Sequence, residues 1–172
     1  MNDIAVNILD ASDVEAKILR MAFEIYELHY GLDSFVMIGI DDRGGFLAEK
    51  LKNDITRISP LHVEFIHAHI DRQEGDPLIG IDLEIESLEA LAGKQVLVVD
   101  DVLYSGQTLL NVVSILLQAR PASIRTAVLI DRGHRTVPVA ADVVGMQLAT
   151  TIQQHVQVIL DENEGKAEAY LL

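Results

Sequence analysis

The chain has 172 residues, of which 49% are hydrophobic, enough to bury a core and too many for a disordered segment. Its formal net charge is −14, from 13 Lys and Arg against 27 Asp and Glu, which places it badly for neutralising nucleic-acid phosphates. With no cysteine, no apolar run near the ~20 residues of a membrane span and no basic-then-apolar leader, disulfides, thiolate metal sites and cysteine nucleophiles are excluded.

What remains is a single cytoplasmic domain over 1–172 with no membrane partner. In chain order, Ser12-Asp13-Val14-Glu15 reads as a capping box that opens a helix. Val14, Ile18, Met21, Ala22, Ile25 and Tyr26 keep helical spacing, and Gly31 closes it. Ser34–Ile40 is a buried strand, followed by Asp41-Asp42-Arg43-Gly44-Gly45 as a loop and a helix from Phe46. A glycine pair and one arginine at a strand's carboxyl end suit an anion, since exposed N–H groups and a guanidinium can clamp phosphate oxygens. The same residues fit an ordinary strand–helix turn with a surface arginine equally well.

Leu61–Ile70 alternates as a strand, with His67 and His69 on one face. No third ligand falls at metal spacing, so they read as partly exposed strand histidines. Asp71–Leu78 is polar, interrupted by Gly75 and Pro77, and Arg72 is its one cation. Asp82, Glu84 and Glu86 alternate with Leu83 and Ile85, as a short edge strand would before Ser87–Ala92.

The most informative stretch follows. Val96–Val99 reads as a strand buried on both faces of a parallel sheet, and Asp100 and Asp101 come directly after it. A short loop ends in Ser105-Gly106-Gln107-Thr108, and Leu109, Leu110, Val113, Leu116 and Leu117 then carry a helix until Arg120-Pro121. Ligands of open α/β sheets bind outside the carboxyl ends of the strands, where this loop lies. Small residues let backbone N–H groups approach a phosphate at a helix N-terminus, and Ser105 and Thr108 add hydroxyl donors. The carboxylates suit sugar hydroxyls or a magnesium ion; as mere helix caps they would leave the loop's hydroxyls without purpose. A Walker-type loop is excluded, because no Gly-Lys-Ser/Thr follows the strand. Beyond it, Ile124–Ile130 is another strand, Ala141–Gly145 and His155–Leu160 follow, Asp161–Gly165 is an acidic turn and Ala167–Leu172 a last edge strand.

Val98-Val99-Asp100-Asp101-Val102-Leu103-Tyr104-Ser105-Gly106-Gln107-Thr108 resembles the phosphoribosyl-pyrophosphate motif of type I phosphoribosyltransferases. Asp131-Arg132-Gly133-His134-Arg135, Pro138–Gly145 and Thr150–Val156 extend the resemblance to the pyrimidine operon attenuation regulator and uracil phosphoribosyltransferase family, over nearly the whole chain. The resemblance implies an α/β fold with a central, mostly parallel sheet flanked by helices and a small hood. It implies transfer of ribose 5-phosphate from phosphoribosyl pyrophosphate to a nucleobase, uracil by preference, with Mg2+ as cofactor.

Residue by residue, the resemblance implies that Asp100 and Asp101 hold the ribose hydroxyls and, through them or water, the metal, and that Arg43 and Gly44 meet the pyrophosphate. On the same resemblance, Tyr104, Ser105, Gly106, Gln107 and Thr108 would fix the 5′-phosphate, and the base would lie near Asp131, Arg132 and Ile152, held mostly by backbone groups. A mobile loop is expected near 71–80, and a homo-oligomer, as a dimer. Purine enzymes carry a lysine where Asp131 stands, which favours a pyrimidine here. The departures are Gln107 for a common arginine, and Ala140 and Met146 at two basic positions of the RNA-binding members. With the net charge, they disfavour RNA as a partner. A nucleotide-sensing RNA-binding regulator and a non-catalytic nucleotide-binding relic are the alternatives.

Overall fold

Continuous apolar runs become sheet interior, and amphipathic runs become the helices that cover it. A computed structural model describes residues 5–71, 80–151, 154–161 and 166–172. The elements are β1 (Val6–Leu9), α1 (Ala11–Leu28), β2 (Ser34–Ile40), α2 (Asp41–Ile58), β3 (His62–Asp71), β4 (Gly80–Leu83), β5 (Gln95–Leu103), α3 (Gln107–Leu116), β6 (Ser123–Asp131), β7 (Val143–Gln147), β8 (Val156–Asp161) and β9 (Lys166–Leu171). A 3-10 turn at Leu88–Leu91 precedes β5.

The main sheet runs β4-β3-β2-β5-β6-β7, parallel throughout except for β4 at one edge. Alternation splits its core in two. Phe35, Met37, Leu97, Val99, Ala127 and Leu129 face α1 and α2, whereas Val36, Ile38, Val96, Val98 and Val128 face α3. The chain leaves β2 for β3 on one side and returns at β5 on the other. Their carboxyl ends therefore diverge into a crevice at the topological switch point, where open α/β sheets take ligands.

Four local expectations are corrected. Asp10, not Ser12, caps α1: its carboxylate accepts the Asp13 N–H at 2.8 Å and Asp13 returns the bond to the Asp10 N–H at 3.2 Å, so the box sits two residues earlier. No loop separates β2 from α2; the helix starts at Asp41, turned by a left-handed φ of +50°. β5 does not stop at Val99 but carries Asp100 and Asp101 inside the strand to Leu103. β9 is no edge strand: it lies between β1 and β8 in a separate antiparallel sheet, the hood, which no local pattern at Val6–Leu9 announces.

β3, β6 and the short β4 match expectation to within a few residues. His67 and His69 do share a face, their rings stacked at 5.8 Å, and among the described residues no group of three metal-ligating side chains converges. No described helix is long and apolar enough to cross a membrane.

Candidate active site

Glycines build the floor of the switch-point crevice. A Cβ at Gly44 would stand 2.7 Å from the Val99 carbonyl oxygen, and one at Gly39 would stand 2.6 Å from the Gly45 Cα. Only bare backbone lets the first turn of α2 lie this close to β2 and β5. Gly44 and Gly45 are therefore buried packing residues, not a loop offering N–H groups. Asp41 fixes the same corner from the other side, its carboxylate accepting the Ile70 N–H at 2.8 Å.

Above this floor is a cavity of about 450 Å³ lined by Ile40, Asp41, Asp42, Arg43, Ile70, Asp100 and Asp101. Arg43 reaches to 3.6 Å from the Asp101 carboxylate; the arginine is 56% exposed, the aspartate 15%. A pair that open to water is worth little in itself, so the guanidinium is easily redirected to a ligand. Burial pushes the Asp100 carboxyl well above the ordinary carboxylate range, and the neighbouring Asp101 charge pushes it further. The N–H of Asp101, donated to Asp100 at 2.9 Å, opposes the shift. Hydroxyl donors or a cation would restore the charged form.

Across β5 lies the turn into α3. Gly106 adopts φ +82° and is packed so tightly that a Cβ there would meet Val139 at 2.4 Å. Thr136 donates its N–H to the Ser105 carbonyl at 3.0 Å, which ties this turn to the segment after β6. The Ser105 hydroxyl accepts the Gln107 N–H at 3.3 Å. α3 begins without a side-chain cap and without an acid in its first turn, an anion-ready end. Tyr104 and Gln107 are exposed there, and Ser105 and Thr108 half-buried.

A second cavity, of about 410 Å³, opens beyond β6 and is lined by Asp131–Arg135 and Gln147–Thr150. Asp131 is buried, accepting the Gly133 N–H at 2.9 Å and pairing with Arg135. The Leu148 N–H donates to the Asp131 carbonyl at 2.9 Å, and His134 Nε2 donates to the Thr150 carbonyl at 2.6 Å. Arg132 is buried as well, with Nε and Nη2 on the Thr150 hydroxyl at 3.2 and 3.1 Å, Nη2 also on the Gln154 carbonyl.

The structure thus gathers Asp100, Asp101 and Arg43 in one cavity, with Gly44 beneath, and Asp131 and Arg132 in another; the 104–108 turn lies beside both sets through β5 and Arg132. Ile152, most of the 71–80 loop and its cation Arg72 lie outside the described residues. Residue spacing marks neither the wall Gln147–Thr150 nor the buttress at 136–139. The Thr150-Thr151 pair, just past the end of β7, is the one local trace of the former.

A phosphoribosyl transferase domain model matches residues 5–163. The bifunctional protein PyrR of Fusobacterium nucleatum is 36% identical, over 96% of this chain and 96% of its own. The pyrimidine operon regulatory protein of Lactococcus lactis subsp. lactis is 34% identical over 92% and 91%. Among solved structures, a hypoxanthine-guanine phosphoribosyltransferase from Bacillus anthracis superposes with a TM-score of 0.76 over 97% of both chains at 19% identity, a likeness of fold.

Proposed function

The chain belongs to the phosphoribosyl transferase domain family, and on that footing we propose that it transfers ribose 5-phosphate from phosphoribosyl pyrophosphate to uracil and releases pyrophosphate. The observation that carries this reading is one strand end, where the Asp100–Asp101 pair stands next to the uncapped start of α3. A phosphorylated pentose needs that juxtaposition: acceptors for its ring hydroxyls on one side and an anion cradle for its 5′-phosphate on the other. The pyrimidine named in the relatives, and the absence of a lysine at Asp131, support uracil.

In this reaction the bond from sugar C1 to the pyrophosphate oxygen breaks, a bond from C1 to uracil N1 forms, and the N1 proton leaves with pyrophosphate. The protein positions and stabilises; no covalent nucleophile is required. Asp100 and Asp101 accept the ribose hydroxyls, which returns Asp100 to its charged form and places negative charge beside a cationic ribosyl carbon. Tyr104 to Thr108 hold the 5′-phosphate, with N–H groups of the first turn of α3 supplying most of the attraction. Arg43 turns from Asp101 to the pyrophosphate, and Gly44 keeps its helix close enough for that reach. The base occupies the cavity by Asp131 and Arg132.

The oxygen-only donor set of the acidic cavity suits Mg2+, which keeps several waters and takes one or two carboxylates. Asp100 and Asp101 would hold such an ion, through the ribose hydroxyls or water. When bound, it supplies neutralisation of the charge that develops on the leaving pyrophosphate.

A second reading, an RNA-binding regulator, takes its support from the names of the relatives. Against it stand the net charge of −14, the exposed Ala140 and the apolar Met146 packed against the core. An ultraviolet assay with uracil, hypoxanthine and guanine at millimolar phosphoribosyl pyrophosphate and magnesium tests the proposal. Turnover with uracil is expected, and no turnover with any base refutes it. Tight, nucleotide-dependent gel-shift of a pyrimidine-operon leader RNA at physiological salt would favour the regulator instead.

A further inference from the structure

Arg132 is a buried cation without a carboxylate partner among the described residues, for its guanidinium meets only the neutral oxygens of Thr150 and Gln154. A buried guanidinium is costly unless something else compensates its charge. That compensation is the face of Tyr104, 4.2 Å from the guanidinium carbon to the ring centroid. His134 closes on the same ring edge-on at 6.0 Å. The guanidinium's hydrogen bonds run to Thr150 of the base-side wall and to Gln154, while its carbon sits over the ring of Tyr104, the first residue of the sugar-phosphate turn. The Arg132 N–H also donates to the Leu103 carbonyl at 3.0 Å, so the backbone just before Tyr104 is fixed to the same residue.

This placement rests on the function proposed above and deepens it. We propose that Arg132 is a positioning residue that couples the base cavity to the phosphate turn through its stack on Tyr104, so that the two halves of the substrate bind synergistically. A base entering the 410 Å³ cavity packs against Arg132 and the Thr150 segment that holds it, and so narrows the orientations open to the guanidinium. Tyr104, its ring face against that guanidinium, narrows with it, and the turn that must meet the 5′-phosphate is already ordered when the sugar arrives. Thermodynamic linkage makes the effect reciprocal. The device needs arginine: a lysine keeps the charge but cannot stack as a plane and bond as a fork at once.

The test is calorimetric, on the full chain, with ribose 5-phosphate and uracil as a pair that cannot react. The dissociation constant of ribose 5-phosphate is measured without uracil and with saturating uracil. In the wild type the ratio is expected within about 5- to 150-fold, the usual range of coupling between sites. Arg132→Lys and Tyr104→Leu should bring the ratio close to one whatever they cost the affinity for each ligand alone, and Tyr104→Phe, which keeps the ring face, should retain it. Tyr104 is a third exposed, so its variants test the idea even if Arg132→Lys fails to fold. A wild-type ratio of one, a ratio unchanged in Tyr104→Leu, or loss in Tyr104→Phe as large as in Tyr104→Leu overturns the coupling while leaving the transferase reading intact. Failure of the wild type to bind either ligand overturns both.

Discussion

The two cavities flank the same strand end and are built in opposite ways. The one between β2 and β5 brings together the carboxyls of Asp41, Asp42, Asp100 and Asp101 against one arginine, itself mostly in water. The one beyond β6 holds Arg132, His134 and Arg135 around a single buried aspartate, and each of these side chains is engaged by hydrogen bonds or an ion pair. The first is electrostatically incomplete: burial, and after it the neighbouring Asp101 and Asp41 charges, raise the Asp100 pKa, a strain that hydroxyl donors or a cation would relieve. The second already has its side chains wired to one another, so that a ligand tightens this wiring rather than creating it. The contrast teaches that this chain preorganises the side beyond β6 and leaves the acidic side to be completed by a ligand; under the proposed function these are the base side and the pyrophosphate side.

Replacing charge on the incomplete side should do the most damage to activity. Asp101→Asn removes a hydroxyl acceptor and the partner of Arg43; kcat/KM should fall about 10²–10³-fold in a uracil assay, as for loss of one charge-stabilising group. Gly44→Ala attacks the floor rather than the charge. The added methyl meets the Val99 carbonyl, and the displacement of α2 should cost about 1–3 kcal/mol. At roughly 2–4 °C per kcal/mol for a chain of this size, thermal melting reads it directly.

Asp42 is exposed and adds repulsion without holding structure that the described contacts show. Asp42→Asn should tighten pyrophosphate binding about 2- to 5-fold at low salt, the scale of an exposed charge interaction, with the gain shrinking as salt rises. The smallest effect is remote from both cavities. His29 is buried, stacked on Phe35 at 4.2 Å, with Nδ1 donating to the Ile25 carbonyl at 2.7 Å and Nε2 unpartnered. Burial holds its pKa below the ordinary value of 6.5, and the nearby Arg125 charge lowers it further. Folding therefore binds fewer protons than unfolding, so its stability contribution is full above about pH 6.5 and is lost as pH falls below that value. Melting curves from pH 7.5 to 5 should decline less steeply in His29→Leu than in the wild type.

The wired and unwired sides also differed in how far the sequence betrayed them. The acid pair and the Ser-Gly-Gln-Thr turn stand out because a strand buried on both faces is an unbroken apolar run, which makes the first polar residues after it conspicuous. The Gly44-Gly45 pair misleads for a physical reason: glycine marks a turn and a close approach alike, and the partner in the approach, Val99, lies far along the chain. Asp10 was hidden because aspartate at the third helical position can replace the glutamate of a capping box. The central place of β9 depends on β1, a four-residue strand with no pattern of its own. The stack of Arg132 on Tyr104 joins two segments that no spacing rule connects.

The central claim is that Asp100 and Asp101 grip the ribose while the adjoining turn grips its phosphate. The measurement that reaches it most directly is the calorimetric affinity of Asp100→Asn/Asp101→Asn for magnesium phosphoribosyl pyrophosphate, read beside its melting temperature. Asp100 is held above its ordinary pKa in the fold, so its ionisation weakens the native state as pH rises through the window between its unfolded and folded values. The double variant should therefore melt no lower than the wild type at neutral pH, yet lose its affinity for the activated sugar. A well-folded double variant that binds phosphoribosyl pyrophosphate as tightly as the wild type would contradict the account.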